Sequence, residues 1–221
     1  MNDTAVRRAV IVMAKRPAAG RTKTRLTPAL SPQQAADLYE CFLLDTLRAL
    51  TSRADCTTVI AIDSADAEDY FESIAPEVPQ VEQIGEALGD RLDSVMSALL
   101  DQGFDQVFAL GSDSPDLPPG HLDQAFALLV APDTDVVFGP SDDGGYYLIG
   151  WKQRWSRLVT DVTMSTPQVL ADTLAIADGL GLSVSLAPTW HDVDTPQDLD
   201  RLQASILSAP GTRTASFLRS L

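Results

Sequence analysis

Short apolar runs alternate with amphipathic segments along almost the whole chain. "AVIVMA" (9–14), "TTVIAI" (57–62), "QVFALG" (106–111), "DVVFGP" (135–140) and "SVSLAP" (183–188) are brief, mostly apolar and bounded by polar or turn residues. Such runs predict strands buried on both faces. The segments between them repeat with helical period. Over 31–50, Ala35, Leu38, Tyr39, Phe42, Leu43, Leu47 and Leu50 share one face. There Ser31 suits the N-cap, Pro32 the first helical position, and Gln34 completes a capping box. Further helices are predicted near 66–74, 90–100, 120–130, 167–179 and 196–207. This alternation predicts an α/β fold with a mainly parallel sheet. No linker, repeat or shift in composition divides the chain, so residues 1–221 are expected to form a single domain. In open α/β sheets the ligand crevice lies beyond the carboxyl ends of the strands, so the chemistry is sought in the loops that leave those ends.

Composition narrows the classes of function. A chain of 221 residues, 45% hydrophobic and 21% charged, is ordinary for a globular protein with a sizeable core. Its 31 acidic residues outnumber 16 basic ones for a net charge of -15. Without a broad basic face, neither nucleic acid nor an anionic membrane is an expected partner. No apolar run approaches the length of a membrane span. The first apolar stretch, about five residues, is too short for the core of a signal peptide. Cys41 and Cys56 make neither a CxxC pair nor a disulfide framework. A cytoplasmic protein is the expectation.

Against that acidic background, Lys15, Arg16, Arg21, Lys23 and Arg25 crowd into the loop after the first strand, "AKRPAAGRTKTRL". From Leu26 to Trp151 only Arg48, Arg53 and Arg91 are basic. Local cationic excess on an acidic chain marks either a solvated loop or a place for an anion. Small residues ending in Gly20 permit close backbone approach, and Lys23 and Arg25 suit phosphate oxygens. A P-loop is excluded because Arg21 comes directly after Gly20, and GxGxxG is absent.

Three acidic segments come after later strands. In "GSDSPDLP", Ser112 precedes Asp113, and Asp113 and Asp116 are either turn formers or hard ligands for Mg²⁺ or Mn²⁺. In "SDDGGYYLIGW", Asp143, Gly144 and Gly145 suit a hairpin turn into a further strand, or a donor or acceptor pocket. In "HDVDTPQDLD", capping explains Thr195, Pro196 and Asp198. Asp192 and Asp194 remain, on alternate positions that place both carboxylates on one side of an extended segment. His191 beside them reads as a neutral surface histidine. Together, acidic loops holding a cation opposite fixed basic side chains form the division of labour that phosphate chemistry needs.

These motifs carry a resemblance. "KTRLTPALSPQQAADLYECFLLDTL" is similar to a stretch of the 2-phospho-L-lactate guanylyltransferases. "DVDTPQDL" resembles the C-terminal motif of that family and of the molybdenum-cofactor guanylyltransferases. "KRPAAGRTKTRL", "GSDSPDLP" and "GPSDDGGYYLIG" together resemble a bacterial family of glycosyltransferase-like proteins, also named radical-SAM- or selenodomain-associated transferases. The resemblance spans Ala9 to about Leu202. It implies the GT-A, nucleotide-diphospho-sugar transferase fold, a mostly parallel mixed sheet with helices on both faces. It also implies that Gly20, Lys23 and Arg25 hold the nucleotide phosphates. Asp113 would bind Mg²⁺, with Asp116 as a second position and Asp192 or Asp194 adding a ligand. The "LAGGxGxRM"-like loop of sugar-phosphate nucleotidyltransferases is missing, and Pro17 and Ala18 stand there instead.

The resulting expectation is a metal-dependent transferase with a nucleotide donor and a small-molecule acceptor. Glycosyl transfer from a sugar nucleotide is favoured, with Asp143 as a conceivable base. Nucleotidyl transfer to a phosphorylated acceptor is the alternative. Two other classes compete. "DVDT" echoes the haloacid-dehalogenase nucleophile, but that motif belongs after the first strand and Pro196 interrupts its sequel. A catalytically silent nucleotide-binding module would be stabilised by nucleotide without consuming it.

Overall fold

The computed structural model describes residues 6–206 and 211–221. In chain order its strands are β1 (Arg8–Ala14), β2 (Thr57–Ile62), β3 (Gln80–Glu82), β4 (Gln106–Gly111), β5 (Val136–Pro140), β6 (Tyr146–Trp151) and β7 (Val184–Leu186). They form one sheet in the order β3-β2-β1-β4-β6-β5-β7. All neighbours run parallel except where β6 lies antiparallel to β4 and β5. The helices are α1 (Pro32–Thr51), α2 (Glu68–Ile74), α3 (Leu88–Asp101), α4 (Pro119–Val130), α5 (Arg157–Thr160), α6 (Val169–Gly179), α7 (Pro196–Ile206) and α8 (Arg213–Leu218). This is the single-domain α/β architecture, with a mostly parallel mixed sheet, that the alternation of apolar runs and helical segments predicts.

Period-two alternation explains the layering. Val10, Val12 and Ala14 of β1 join a core with Leu43 and Leu47 of α1, Phe71 of α2, and Phe126 and Leu129 of α4. Ala9 and Ile11 face the opposite way, onto Val95, Met96 and Leu99 of α3, Leu158 and Val159 of α5, and Ala177 of α6. Both faces of the sheet are thus covered, which is why its central strands read as unbroken apolar runs.

A third cluster positions the loops. Leu26 and Leu30, after β1, pack with Leu38 and Phe42 of α1, Val193 in the segment before α7, Leu199 and Leu202 of α7, and Leu218 of α8. The helix α1 is therefore buried on two sides. It starts at the expected capping box: Gln34 N–H donates to Ser31 Oγ at 3.2 Å, and Ser31 N–H to Gln34 Oε1 at 2.9 Å. At the other side of this layer, buried Asp45 of α1 accepts from Arg213 N and Thr214 N at 2.9 and 2.8 Å, fastening the start of α8.

Three elements escaped the periodicity. The strand β3 has three residues and a single apolar one, Val81, while α5 and α8 span four and six residues. None is long enough to show a repeat. The helix α3 starts two residues before the predicted segment and α6 two residues after it. Leu207, the expected end of the last predicted helix, lies outside the described residues. Among the described residues no helix is long and apolar enough to cross a membrane.

The third cluster, by this geometry, carries both stability and the placement of the loop after β1. Truncating Leu26, which is fully buried, to alanine is expected to cost about 2–5 kcal/mol by denaturant titration.

Candidate active site

Parallel pairing of β1 with β4, Met13 opposite Gly111, makes the loops after both strands leave the same edge side by side. Tyr39 of α1 ties them together. Its hydroxyl accepts from Lys15 N at 3.2 Å and lies 2.9 Å from Ser112 Oγ, which donates to Met13 O at 3.0 Å. Burial, reinforced by the Asp113 charge, pushes the Tyr39 phenol up to about 12, so it stays neutral. The loop after β1 is closed on itself. Thr22 Oγ1 donates to Ala18 O and accepts from Ala18 N, with Gly20 supplying a φ of 73° at the turn.

The acidic segment of residues 190–194 reaches the same edge. Its Val193 N donates to Asp113 O at 2.9 Å. It runs into α7, where Asp198 accepts from Asp194 N and Thr195 N at 3.1 and 2.7 Å, the predicted cap. Leu26 and Val193 share the third cluster, so the same apolar contacts hold the basic loop and the acidic segment together.

Where they meet, Lys23 Nζ lies 2.8 Å from both Asp113 Oδ1 and Asp194 Oδ1. The lysine side chain is only 4% exposed. Burial alone would lower its pKa, but Asp113 and Asp194 outweigh that and hold it above the ordinary lysine value. The Lys23 backbone is left-handed, φ 49°, a conformation that costs a non-glycine residue on the order of 1–3 kcal/mol unless its surroundings enforce it. Arg25, largely exposed, also pairs with Asp194. Asp192 accepts from Ser114 Oγ at 2.7 Å. Burial and the neighbouring Asp113 charge push its carboxyl up to about 6.

Lys23, Arg25, Asp113 and Asp194 border a cleft of about 420 Å³, whereas Asp192, expected as a further metal ligand, is bonded to Ser114 and does not line it. Lys15, Arg21, Lys23, Arg25, Tyr39, Ser112, Asp113 and Asp194 line it, with Gln83 and Ser165 opposite. Most of the predicted phosphate and metal residues are therefore brought together. Gly20 is not among the lining residues; it shapes the turn. Asp116 turns away, because its oxygens accept from Trp190 Nε1 at 3.3 Å and Ser205 Oγ at 2.8 Å behind the acidic segment. Asp143, Gly144 and Gly145 also lie outside the cleft. Asp143 Oδ1 accepts from Gly145 N at 2.9 Å. Gly144 has φ 87°, and a Cβ there would stand 1.9 Å from Pro167 O, so turn geometry and packing account for that segment. His191, read as a surface histidine, is buried at 5% exposure, and burial lowers its pKa. Tyr39, Ser114, Gln83 and Ser165 were not singled out in the sequence. Of these, Tyr39 carried a signal: a hydroxyl on the buried face of α1.

Whether these residues suit a divalent cation depends on the donor set. Asp113, Asp192 and Asp194 offer only hard carboxylate oxygens, and the Lys23 ammonium already stands between two of them as a cation. Among the described residues no three acidic, imidazole or thiol groups converge as a ready metal cage. Mg²⁺ commonly takes one or two carboxylates and completes its shell with substrate phosphates and water, so this arrangement fits.

Known proteins resemble the chain in sequence and in fold. Over 212 residues the chain is 29% identical to 2-phospho-L-lactate guanylyltransferase of Methanothermobacter thermautotrophicus, covering 90% of this chain and 85% of the relative. A protein of Desulfovibrio desulfuricans G20, provisionally named a nucleotide-diphospho-sugar transferase, superposes with a TM-score of 0.90 and 30% identity over 97% of this chain and 95% of its own. The molybdopterin-guanine dinucleotide biosynthesis protein A of Archaeoglobus fulgidus shares the fold, with a TM-score of 0.56 and 15% identity over 91% of this chain and 99% of that one. A family model described as "uncharacterized protein conserved in bacteria" (DUF2064) matches residues 46–166, more than half the chain. The chain belongs to that bacterial family and carries the fold of the nucleotide-using transferases.

Proposed function

We propose that the protein is a nucleotidyltransferase that joins the nucleoside monophosphate part of an NTP to a small phosphorylated acceptor. The observation that carries this reading is the buried Lys23 ammonium shared by Asp113 and Asp194 on the wall of the cationic cleft. The guanylyltransferase relative, aligned over most of both chains, supports the same class.

In this reaction an oxygen of the acceptor phosphate attacks the α-phosphorus of the NTP. The new P–O bond forms as the bond to the β-phosphate oxygen breaks, and pyrophosphate leaves with the electron pair. The acceptor phosphate is already anionic, so no side chain has to remove a proton. Catalysis then rests on positioning and charge. Lys23 exchanges its carboxylate partners for phosphate oxygens, and Arg21 and Arg25 hold others at the mouth. The Tyr39–Ser112 link keeps the two loops at fixed separation. Asp113 and Asp194, with Asp192 beside them, would hold Mg²⁺ or Mn²⁺, whose contribution is to neutralise triphosphate charge.

Glycosyl transfer, the reaction first expected, is the second reading, favoured by the provisional name of the Desulfovibrio protein. It asks for a base at an acceptor hydroxyl, and Asp143, the candidate, lies outside the cleft.

The two readings differ in their products. Each of the four NTPs with Mg²⁺ and a panel of phosphomonoesters is expected to yield acceptor-dependent pyrophosphate; release of nucleoside diphosphate from sugar nucleotides instead would establish glycosyl transfer. In a thermal-shift assay, Asp113→Ala is expected to remove the metal-dependent part of stabilisation by nucleotide. Lys23→Ala is expected to lower kcat/KM about 100-fold, the scale typical of losing one fixed donor to developing charge.

A further inference from the structure

The cleft continues past Leu88 and Ser165. Both residues line it and also an adjoining hollow of about 350 Å³. One wall of this hollow is the start of α3, residues 87–90; the other is residues 159–165. The walls fit closely, since a Cβ on Gly89 would lie 1.9 Å from Val159 O. Ser165 at the junction has φ 62°. It and Lys23 are the two non-glycine residues with positive φ among the described residues, and both border the cleft. Strained backbone of this kind persists where the surroundings over-determine it, and it concentrates at functional sites.

The two compartments differ in chemistry. The cleft is lined by four cationic side chains, whereas no lysine or arginine lines the hollow. Its one ionisable residue, Asp90, is acidic, and Asp90 Oδ2 accepts from Ala87 N at 3.2 Å at the helix start. The remaining side chains are aliphatic or thioether (Leu88, Val159, Val162, Met164) or carry hydroxyls (Thr160, Thr163). A carboxylate entering here would gain no cationic partner and would meet the Asp90 charge instead. A neutral group would bury carbon surface and bond to hydroxyls. Phospholactate, by its chemistry, carries a carboxylate beside its phosphate and is poorly matched to this wall.

We infer, resting on the nucleotidyl-transfer reading, that this protein's acceptor is a phosphomonoester whose non-reacting part is uncharged, with its phosphate in the cationic cleft and its neutral tail in the hollow. The nucleotide and the acceptor phosphate share the 420 Å³ compartment, and the 350 Å³ compartment selects the tail.

Methionine methyl resonances report on the two compartments separately. Met13 lines the cleft, Met164 the hollow, and Met96 is buried in the core as a control. With the full chain, Mg²⁺ and α,β-methylene analogues of the four NTPs, nucleotide alone is expected to move Met13 and leave Met164 in place. Adding glycerol 3-phosphate should then move Met164 at a concentration at least 10-fold below that needed for 3-phosphoglycerate, which replaces a hydroxymethyl group by a carboxylate. Val162→Lys should shrink or invert that ratio. The inference is overturned if the carboxylate probe acts at equal or lower concentration, if neither ester moves Met164, or if nucleotide alone moves it because the base occupies the hollow. The nucleotidyl-transfer reading fails by a different result: Met13 unmoved by every nucleotide and no pyrophosphate released.

Discussion

One ammonium group organises the charged edge of this protein. The Lys23 Nζ stands 2.8 Å from two carboxylates that arrive from distant parts of the chain, Asp113 after β4 and Asp194 before α7. The ammonium is buried and would be costly to desolvate alone, while both carboxylates keep part of their surface in water, which screens the pairs and weakens them below the strength of a fully buried ion pair. The triad therefore holds only while all three elements are in register. The φ of 49° at Lys23 belongs to the same constraint: the backbone adopts a disfavoured conformation, and the ion pairs at the tip of its side chain offset part of that cost.

Nothing in the triad would assemble without apolar packing at its back. The contacts of Leu26 and Leu30 with Val193, Leu199 and α1 are non-polar and non-directional, yet they set where the charged tips meet. The Tyr39 hydroxyl, one turn from Phe42 on the same helix, adds the directional part by bonding to Lys15 N and Ser112. Division into a greasy scaffold and a few well-aimed polar contacts is common in ligand sites. Here α1 supplies both from neighbouring turns.

Much of this was legible in the sequence because it derives from local pattern. The strands β1, β2 and β4 announce themselves as apolar runs, and α1 shows its cap and period together, so the fold class could be read directly. The basic loop and Asp113 were visible because charge stood out against its surroundings. Direction could not be read. Asp113 and Asp116 sit three positions apart in one turn, and only the fold shows that the first faces Lys23 while the second faces Trp190 and Ser205. Asp143, Gly144 and Gly145 looked like a pocket because their residue types suit either a turn or a site. The approach of Pro167 to Gly144, a contact between distant segments, decides for the turn. The short elements β3, α5 and α8 owe their structure to neighbours, and periodicity has no purchase on them.

The antiparallel strand β6 has a consequence for how such a site diversifies. By reversing direction between β4 and β5, it carries the chain away from the charged edge and leaves residues 152–168 to return as a separate wall. Sequence drift in that returning segment can remould one chamber while the lysine–aspartate junction, built from β1, β4 and the stretch before α7, keeps its geometry. An architecture of this kind lets the returning wall change shape without moving the groups that form the charged junction.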